Sequence, residues 1–279
     1  MFHVEKMTTV DLPLAVDLAN TMHWNTTQED FELNLKLEPE GCLVLLDELG
    51  RVGISTCVSF GKVGWFGNLV MKKDHRRQGG GTLLVQRAIN YLKSKGVETI
   101  GLYAYQHLVG FYENIGFRGN EEFSVFQGKT KTRCAQSSLK KITGKDIPAV
   151  LDFDRKCFRG DREKLLEPII LNENNRCYFA ERNGRLTGYV IAKNHEEMTD
   201  VGPLVCRNLN NNLAKSLLRA ALCDFSGREV FVCLPTRNRN LTRVIAGMGL
   251  NENFRVTRMF LGPATAESCT YIPESLERG

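Results

Sequence analysis

The chain has no apolar run approaching the 18 or more residues of a membrane span, which argues against a spanning helix. Its opening, Met1-Phe2-His3-Val4-Glu5-Lys6, carries no signal-peptide apolar region, so the expected compartment is cytoplasmic. Nine cysteines are scattered singly and none forms Cys-x-x-Cys, which argues against a zinc site or a local redox pair. Most flank apolar residues and are expected as buried thiols. The charge excess of +5 is too small to argue for nucleic acid, yet it suits an anionic ligand. There is no Gly-x-x-x-x-Gly-Lys-Ser/Thr loop and no Gly-x-Ser-x-Gly nucleophile turn. His195-Glu196-Glu197 lacks a second His at helical spacing, so no metal is expected.

What is present is one cationic, glycine-rich loop, Arg76-Arg77-Gln78-Gly79-Gly80-Gly81. Its lead-in, Gly67-Asn68-Leu69-Val70-Met71, reads as the end of a strand. Beyond it, Leu84, Val85, Ala88, Ile89 and Leu92 recur at helical period, while Gln86, Arg87, Asn90 and Lys93 take the other face. Gly96 suits the C-terminal cap. Glycines remove side chains where backbone N–H groups would close on an anion, and the helix dipole and two arginines add positive potential there. The combination is a phosphate-binding device. Two competing readings are a surface turn and a short nucleic-acid patch with Lys72 and Lys73. No aromatic residues interleave these cations, which disfavours the patch. Thr82 either adds a hydroxyl to the phosphates or only caps the helix.

The chain also repeats itself. Val4 to Pro13 returns as Leu139 to Pro148, and the hairpin Cys42 to Gly53 returns as Cys177 to Gly188, about 135 residues later. Gly116-Phe117 through Gly128 returns as Gly249-Leu250 through Gly262 at nearly the same spacing. The expected layout is two tandem domains, 1–133 and 137–279, of mixed α/β (α+β) class. Each is a twisted, mostly antiparallel sheet flanked by helices. At constant spacing, Arg76, Gly79 and Gly81 map near Asn210, Leu213 and Lys215. Cβ atoms there would crowd an anion, so one site per chain is expected, in the first half.

Arg76-x-x-Gly79-x-Gly81 followed by Tyr112-Glu113-Asn114-Ile115-Gly116-Phe117 resembles the GNAT N-acetyltransferases. The overall layout resembles tandem members with a degenerate C-terminal acetyltransferase-like domain. Its marks are the Gly202-Pro203 turn, Pro235-Thr236-Arg237-Asn238, and Thr257-Arg258-Met259 before Gly262. The resemblance implies acetyl-CoA as co-substrate, its pyrophosphate held by Arg76, Arg77, Gln78, Gly79, Gly80, Gly81 and Thr82. It implies that the strand carrying Leu69, Val70 and Met71 splays from its neighbour and bonds the pantetheine arm through its backbone. Tyr112 stands where the family's tyrosine protonates the leaving thiolate; the plainer reading is a helix tyrosine packed between Leu108 and Phe117.

Two departures stand out. The family often has Asn and Ala where this chain has Tyr105 and Leu108, and the strand before the loop carries no carboxylate to serve as base. An amine near pKa 10.4 must lose a proton before attack, at roughly 4–5 kcal/mol at pH 7. Either a water chain or a carboxylate from elsewhere must take it. Trp24 and Asn25 are candidates to line the acceptor pocket, as are Asp161-Arg162 and Asn238 with Arg258 from the second half. The expected reaction is transfer of an acetyl group to a primary amine of a small molecule or amino acid, by direct attack. A protein or peptide acceptor and a CoA-binding sensor without chemistry are the alternatives. No nucleic-acid or membrane partner is expected, and the oligomeric state is left open.

Overall fold

The computed structural model describes residues 1–279 except His23, Asn25, 132–138, 196–197, 208–210 and 265–268, and leaves the Thr270 side chain aside. In the first half, β1 (His3–Lys6) leads to α1 (Leu12–Asn20), α2 (Gln28–Leu37), β2 (Cys42–Asp47), β3 (Gly50–Phe60) and β4 (Val63–Met71). Then follow α3 (Gly80–Ser94), β5 (Thr99–Tyr105), α4 (Val109–Glu113) and β6 (Arg118–Lys129). The second half repeats the order as β7 (Lys140–Lys141), α5 (Ile147–Phe158), α6 (Glu163–Leu171), β8 (Arg176–Arg182), β9 (Arg185–Asn194) and β10 (Met198–Arg207). It ends with α7 (Asn211–Leu222), β11 (Glu229–Pro235), α8 (Arg239–Gly247), β12 (Asn251–Leu261) and an added β13 (Cys269–Ile272).

Local chemistry explains why the copies start alike. Thr8 with Asp11 and Thr143 with Asp146 form the same reciprocal capping box ahead of α1 and α5, and a proline follows in each first turn. The apolar face of α3 is as expected: Leu84, Val85, Ala88, Ile89 and Leu92 are all buried. Burial of each of the Leu, Val and Ile side chains contributes roughly 1.5–3 kcal/mol before ordering entropy is subtracted. Gly96, at φ 81°, ends the helix in the left-handed conformation that suits glycine.

Among the described residues the strands form one sheet in the order β1-β2-β3-β4-β5-β12-β6-β11-β10-β9-β8-β7, with β13 alongside β10. The halves exchange strands. β12 pairs with both β5 and β6, and β6 pairs in turn with β11. Each half therefore closes its sheet with the other's last long strand. The expected boundary between 133 and 137 lies outside the described residues. One hydrophobic core also spans the halves, joining Val58, Phe60 and Trp65 to Phe158, Leu165 and Tyr271. Lys164 on α6 reaches Glu38 at 2.8 Å and seals the same seam.

Two sequence expectations need adjusting. The Gly202-Pro203 turn is a bulge inside β10, where Gly202 and Pro203 together oppose the single β9 residue Ile191 between the pairs Val201–Ala192 and Leu204–Val190. Cysteines 42, 57, 157, 177, 206, 233 and 269 are buried as expected, with Cys269 Sγ 2.7 Å from Cys157 Sγ, but Cys223 is disulfide-bonded, which singly spaced cysteines did not announce.

Candidate active site

β4 pairs with β5 in parallel only at Val63–Thr99, Gly64–Ile100 and Trp65–Gly101, and from Phe66 onward the two strands part. On its other edge β4 carries one residue more than β3 between Gly67 and Val70. Asn68 sits there at φ 53°, and its Nδ2 donates to Thr56 Oγ1 at 3.0 Å. This bulge re-phases the strand. Phe66 and Met71, an odd number of residues apart, both face the α3 core, while Val70 faces the α1–α2 core. Leu69 is partly buried on the α3 side. The splay leaves backbone groups of β4 without a strand partner on the β5 side, which is where a linear ligand can add itself.

The loop closes on the open end of this V. A 3-10 turn at Lys73–His75 is braced by His75 Nε2 against Asp47 Oδ2 at 2.8 Å. Arg76 Nε donates to the Met71 carbonyl at 3.1 Å, and its Nη2 rests on Met22 Sδ, so this side chain clasps strand to loop. Gln78 Nε2 likewise donates to the Asp74 carbonyl at 2.8 Å. Arg77 (φ 63°) and Gly79 (φ 89°) turn the backbone left-handed into α3. Arg77, Gln78 and Thr82 are exposed.

The three glycines have different reasons. Gly79 needs its positive φ. A Cβ on Gly80 would meet Leu45 Cδ2 at 2.5 Å and Met71 Cε at 2.8 Å, so the Leu45 and Met71 side chains would have to move to admit it. A Cβ on Gly81 meets only Phe111 Cζ at 3.7 Å, an ordinary contact. The fold does not demand glycine at 81; open backbone at a helix N-terminus is what a phosphate demands.

Tyr112, on α4, lies in the core of the first half with its ring centroid 4.9 Å from Phe111, 5.8 Å from Phe117 and 6.5 Å from Phe66. Burial pushes its phenol well above the ordinary value. Such a group stays protonated at every physiological pH and acts as a hydrogen-bond donor. Complete proton transfer to a thiolate is harder for it than for an exposed tyrosine.

On the opposite side, Trp24 Nε1 donates to the Tyr105 hydroxyl at 2.7 Å, tying the segment between α1 and α2 to the end of β5. Burial raises the Tyr105 phenol, and the Trp24 hydrogen bond only partly offsets this. Tyr105 is the residue standing in place of the family's asparagine, and its structural partner was not visible from sequence. Asn25 lies outside the described residues. Asn238 accepts from Leu241 N at 3.1 Å as the cap of α8, and its Nδ2 donates to Asn211 Oδ1 at 3.0 Å. Arg258 is buried, with Nη2 2.6 Å from Asn120 Oδ1 and 3.2 Å from Glu121 Oε2. Asn238 is therefore engaged within the second half, whereas Arg258 ties β12 to β6 of the first half.

The second half differs from the first in two ways that a constant offset concealed. Residues 72–79 separate β4 from α3, but only 208–210 separate β10 from α7. The spacing that matched Gly79 and Gly81 to Leu213 and Lys215 does not hold across this shorter loop, and those two residues lie inside α7; Asn210 lies outside the described residues. In addition, β10 leaves β11 after Val201–Val232, and β13 fills the opening by pairing with β10 from Leu204–Ile272 to Arg207–Cys269. The V that is open in the first half is occupied by the chain's own strand in the second.

Residues 13–117 match the family model described as Acetyltransferase (GNAT) family, and residues 150–272 match the one described as Acetyltransferase (GNAT) domain. The chain belongs to the GNAT acetyltransferases, with a domain of that family in each half. Its class is therefore acyl transfer. It is similar in fold to a putative acetyltransferase from Pyrococcus horikoshii, at 22% identity and a TM-score of 0.83, over 100% of this chain and 96% of that one. A GCN5-related N-acetyltransferase from Sphaerobacter thermophilus matches at 14% identity and TM-score 0.69, over 96% and 98%. A tandem GNAT protein from the clavulanic acid biosynthesis pathway matches at 14% identity and TM-score 0.64, over 95% and 100%. No curated protein matches the chain. Among the described residues, no helix of this GNAT protein is long and apolar enough to cross a membrane, and no three His, Cys, Asp or Glu group to hold a metal ion.

Proposed function

We propose that the first GNAT domain binds acetyl-CoA in the V between β4 and β5 and moves its acetyl group to a primary amine of a small molecule or amino acid. The observation that carries this reading is the parting of β4 from β5 beside a helix that starts on Gly79-Gly80-Gly81. The residues present fit the cofactor: amides of the first helical turn face the diphosphate, Arg77 adds charge, and β4 between Phe66 and Met71 offers backbone to the pantetheine arm. When bound, acetyl-CoA supplies the activated acyl group as a thioester. With the thioester in place, an amide of Leu69, Val70 or Met71 would polarise its carbonyl oxygen, and the Tyr112 hydroxyl would donate a hydrogen bond to the departing sulfur. Among the described residues, nothing in the site supplies a dedicated nucleophile, which supports direct attack.

A small acceptor is favoured over a peptide because the second half packs against the first through a shared core, and Trp24 is pinned to Tyr105 over the open end. Calorimetric titration with acetyl-CoA, followed by thiol release against a panel of primary amines, tests the proposal. Binding without thiol release on any amine would favour a sensor, and absence of binding would sink both. Within an active enzyme, Tyr112→Phe is expected to lower kcat about 10- to 100-fold with acetyl-CoA affinity unchanged. An unaffected kcat would return Tyr112 to a purely packing role.

A further inference from the structure

β4 from Trp65 to Met71 carries no titratable side chain, so the proton of an acceptor ammonium has no acceptor on the strand itself. The chain's far end comes to that place. After β13, residues 273–279 cross from the second half and pack on β4. Trp65 Nε1 donates to the Leu276 carbonyl at 3.3 Å. A Cβ on Gly67 would meet Glu277 Cβ at 2.5 Å and Glu277 Cα at 2.6 Å. Glycine at 67 is what lets Glu277 lie against the splayed strand.

We propose that Glu277 is the base that takes the proton from the acceptor ammonium, which rests on the acetyl-transfer reading above. The groups around it make it the available carboxylate. Glu274 is fully committed, with Lys193 Nζ at 2.5 Å and Arg278 Nε at 2.9 Å. Lys193 is further held by Asp200 at 2.7 Å. Among the described residues, Glu277 receives only Arg278 Nη1, at 2.9 Å, and keeps 24% of its side chain exposed. Burial, with Glu274 and Asp30 on α2 adding like charge, raises its carboxyl above the ordinary value, against the pull of Arg278 and Lys193. It is thus a stronger base than a free glutamate. Beside it Asn34, buried on α2, accepts from Arg278 through Oδ1 at 3.5 Å, and its Nδ2 has no partner among the described residues. A buried donor next to a basic carboxylate suits a polar acceptor that carries an ammonium group.

The step balances. Glu277 takes one proton from R–NH3⁺, and the freed nitrogen lone pair forms the C–N bond as the C–S bond breaks with its electron pair left on sulfur. The nitrogen then loses its second proton. Of the two protons released, one ends on sulfur, giving the thiol, and Glu277 returns the other to solvent.

The test uses the full chain, with Glu277→Gln and Glu277→Asp, and ethanolamine, benzylamine, glycine and hydroxylamine as acceptors. On the best alkylamine, Glu277→Gln is expected to lower kcat/KM at pH 7 by about 100-fold or more and to abolish the acid limb of its pH profile, with acetyl-CoA affinity retained. Glu277→Asp should restore part of the rate. Hydroxylamine, already neutral at pH 7, should lose far less. Independently of activity, carbon NMR of the unliganded protein should show one carboxyl titrating above the usual glutamate range, absent from Glu277→Gln. A Gln variant with an unchanged rate and acid limb, or with that resonance still present, overturns the assignment while the transfer reading stands. Acetyl-CoA binding without thiol release from the unaltered chain overturns the transfer reading, and Glu277 with it.

Discussion

Gly81→Glu is expected to leave the fold intact and to weaken acetyl-CoA binding by about 1,000-fold. The position tolerates a side chain: a Cβ meets only Phe111 Cζ at 3.7 Å, and the residue is only half-buried. A carboxylate in the first turn of α3 is even favourable to the helix dipole, by about 0.3–1 kcal/mol. Thermal unfolding should therefore be unchanged or slightly later. In the proposed binding mode the same carboxylate would stand where the diphosphate sits. Two like charges 4 Å apart repel by about 4 kcal/mol at an effective dielectric of 20, and each 1.4 kcal/mol is tenfold in affinity. Calorimetry beside a melting curve separates the outcomes. Undiminished binding would remove the loop from the site, whereas an unfolded variant would make Gly81 a packing glycine like its neighbour Gly80.

Arg162→Met should destabilise the protein by about 3–5 kcal/mol, since it removes one partner of a buried ion pair. Both members of this pair are wholly buried, with Arg162 Nη2 2.7 Å from Asp154 Oδ1. The Tyr189 hydroxyl also donates to Asp154 Oδ1, at 2.5 Å. Arg162 Nη1 donates to the Tyr271 hydroxyl at 3.0 Å and to the Gly279 carbonyl at 2.5 Å, and its guanidinium stacks 4.1 Å from the Phe158 ring. Without the cation, Asp154 is left as a buried, unpaired charge. Denaturant unfolding measures the loss, and a double variant with Asp154→Leu should recover much of it, because an apolar pair needs no compensation. A single-variant loss under about 1 kcal/mol would show that the surroundings already relieve Asp154. Because Arg162 anchors Tyr271 and Gly279, the variant also tests whether the segment bearing Glu277 needs a rigid mount. The expected sign is a fall in kcat larger than any change in acetyl-CoA affinity.

How much was legible follows from the reach of each signal. The α3 face, Gly96 as its end, and the strand–loop–helix order around Gly79 are set by residues a few positions apart, and pattern alone finds them. The duplication was legible because both copies keep their capping threonines and hairpins. Its failure point was the loop. A shortened connection between β10 and α7 shifts every later equivalence, so a constant spacing placed Leu213 and Lys215 against the wrong positions. Trp24 was named without its partner, since Tyr105 is 81 residues away and no periodicity links them.

The sequence by itself determined that this is a duplicated GNAT chain with one intact glycine-led helix start, because those features are written in local spacing and backbone conformational demands. Only the tertiary structure decided that β6 and β12 trade places, that β13 fills the second V, and that Glu277 meets Gly67. Those contacts are selected by hydrophobic burial and charge pairing between segments up to two hundred and more residues apart, a separation over which sequence pattern carries no register.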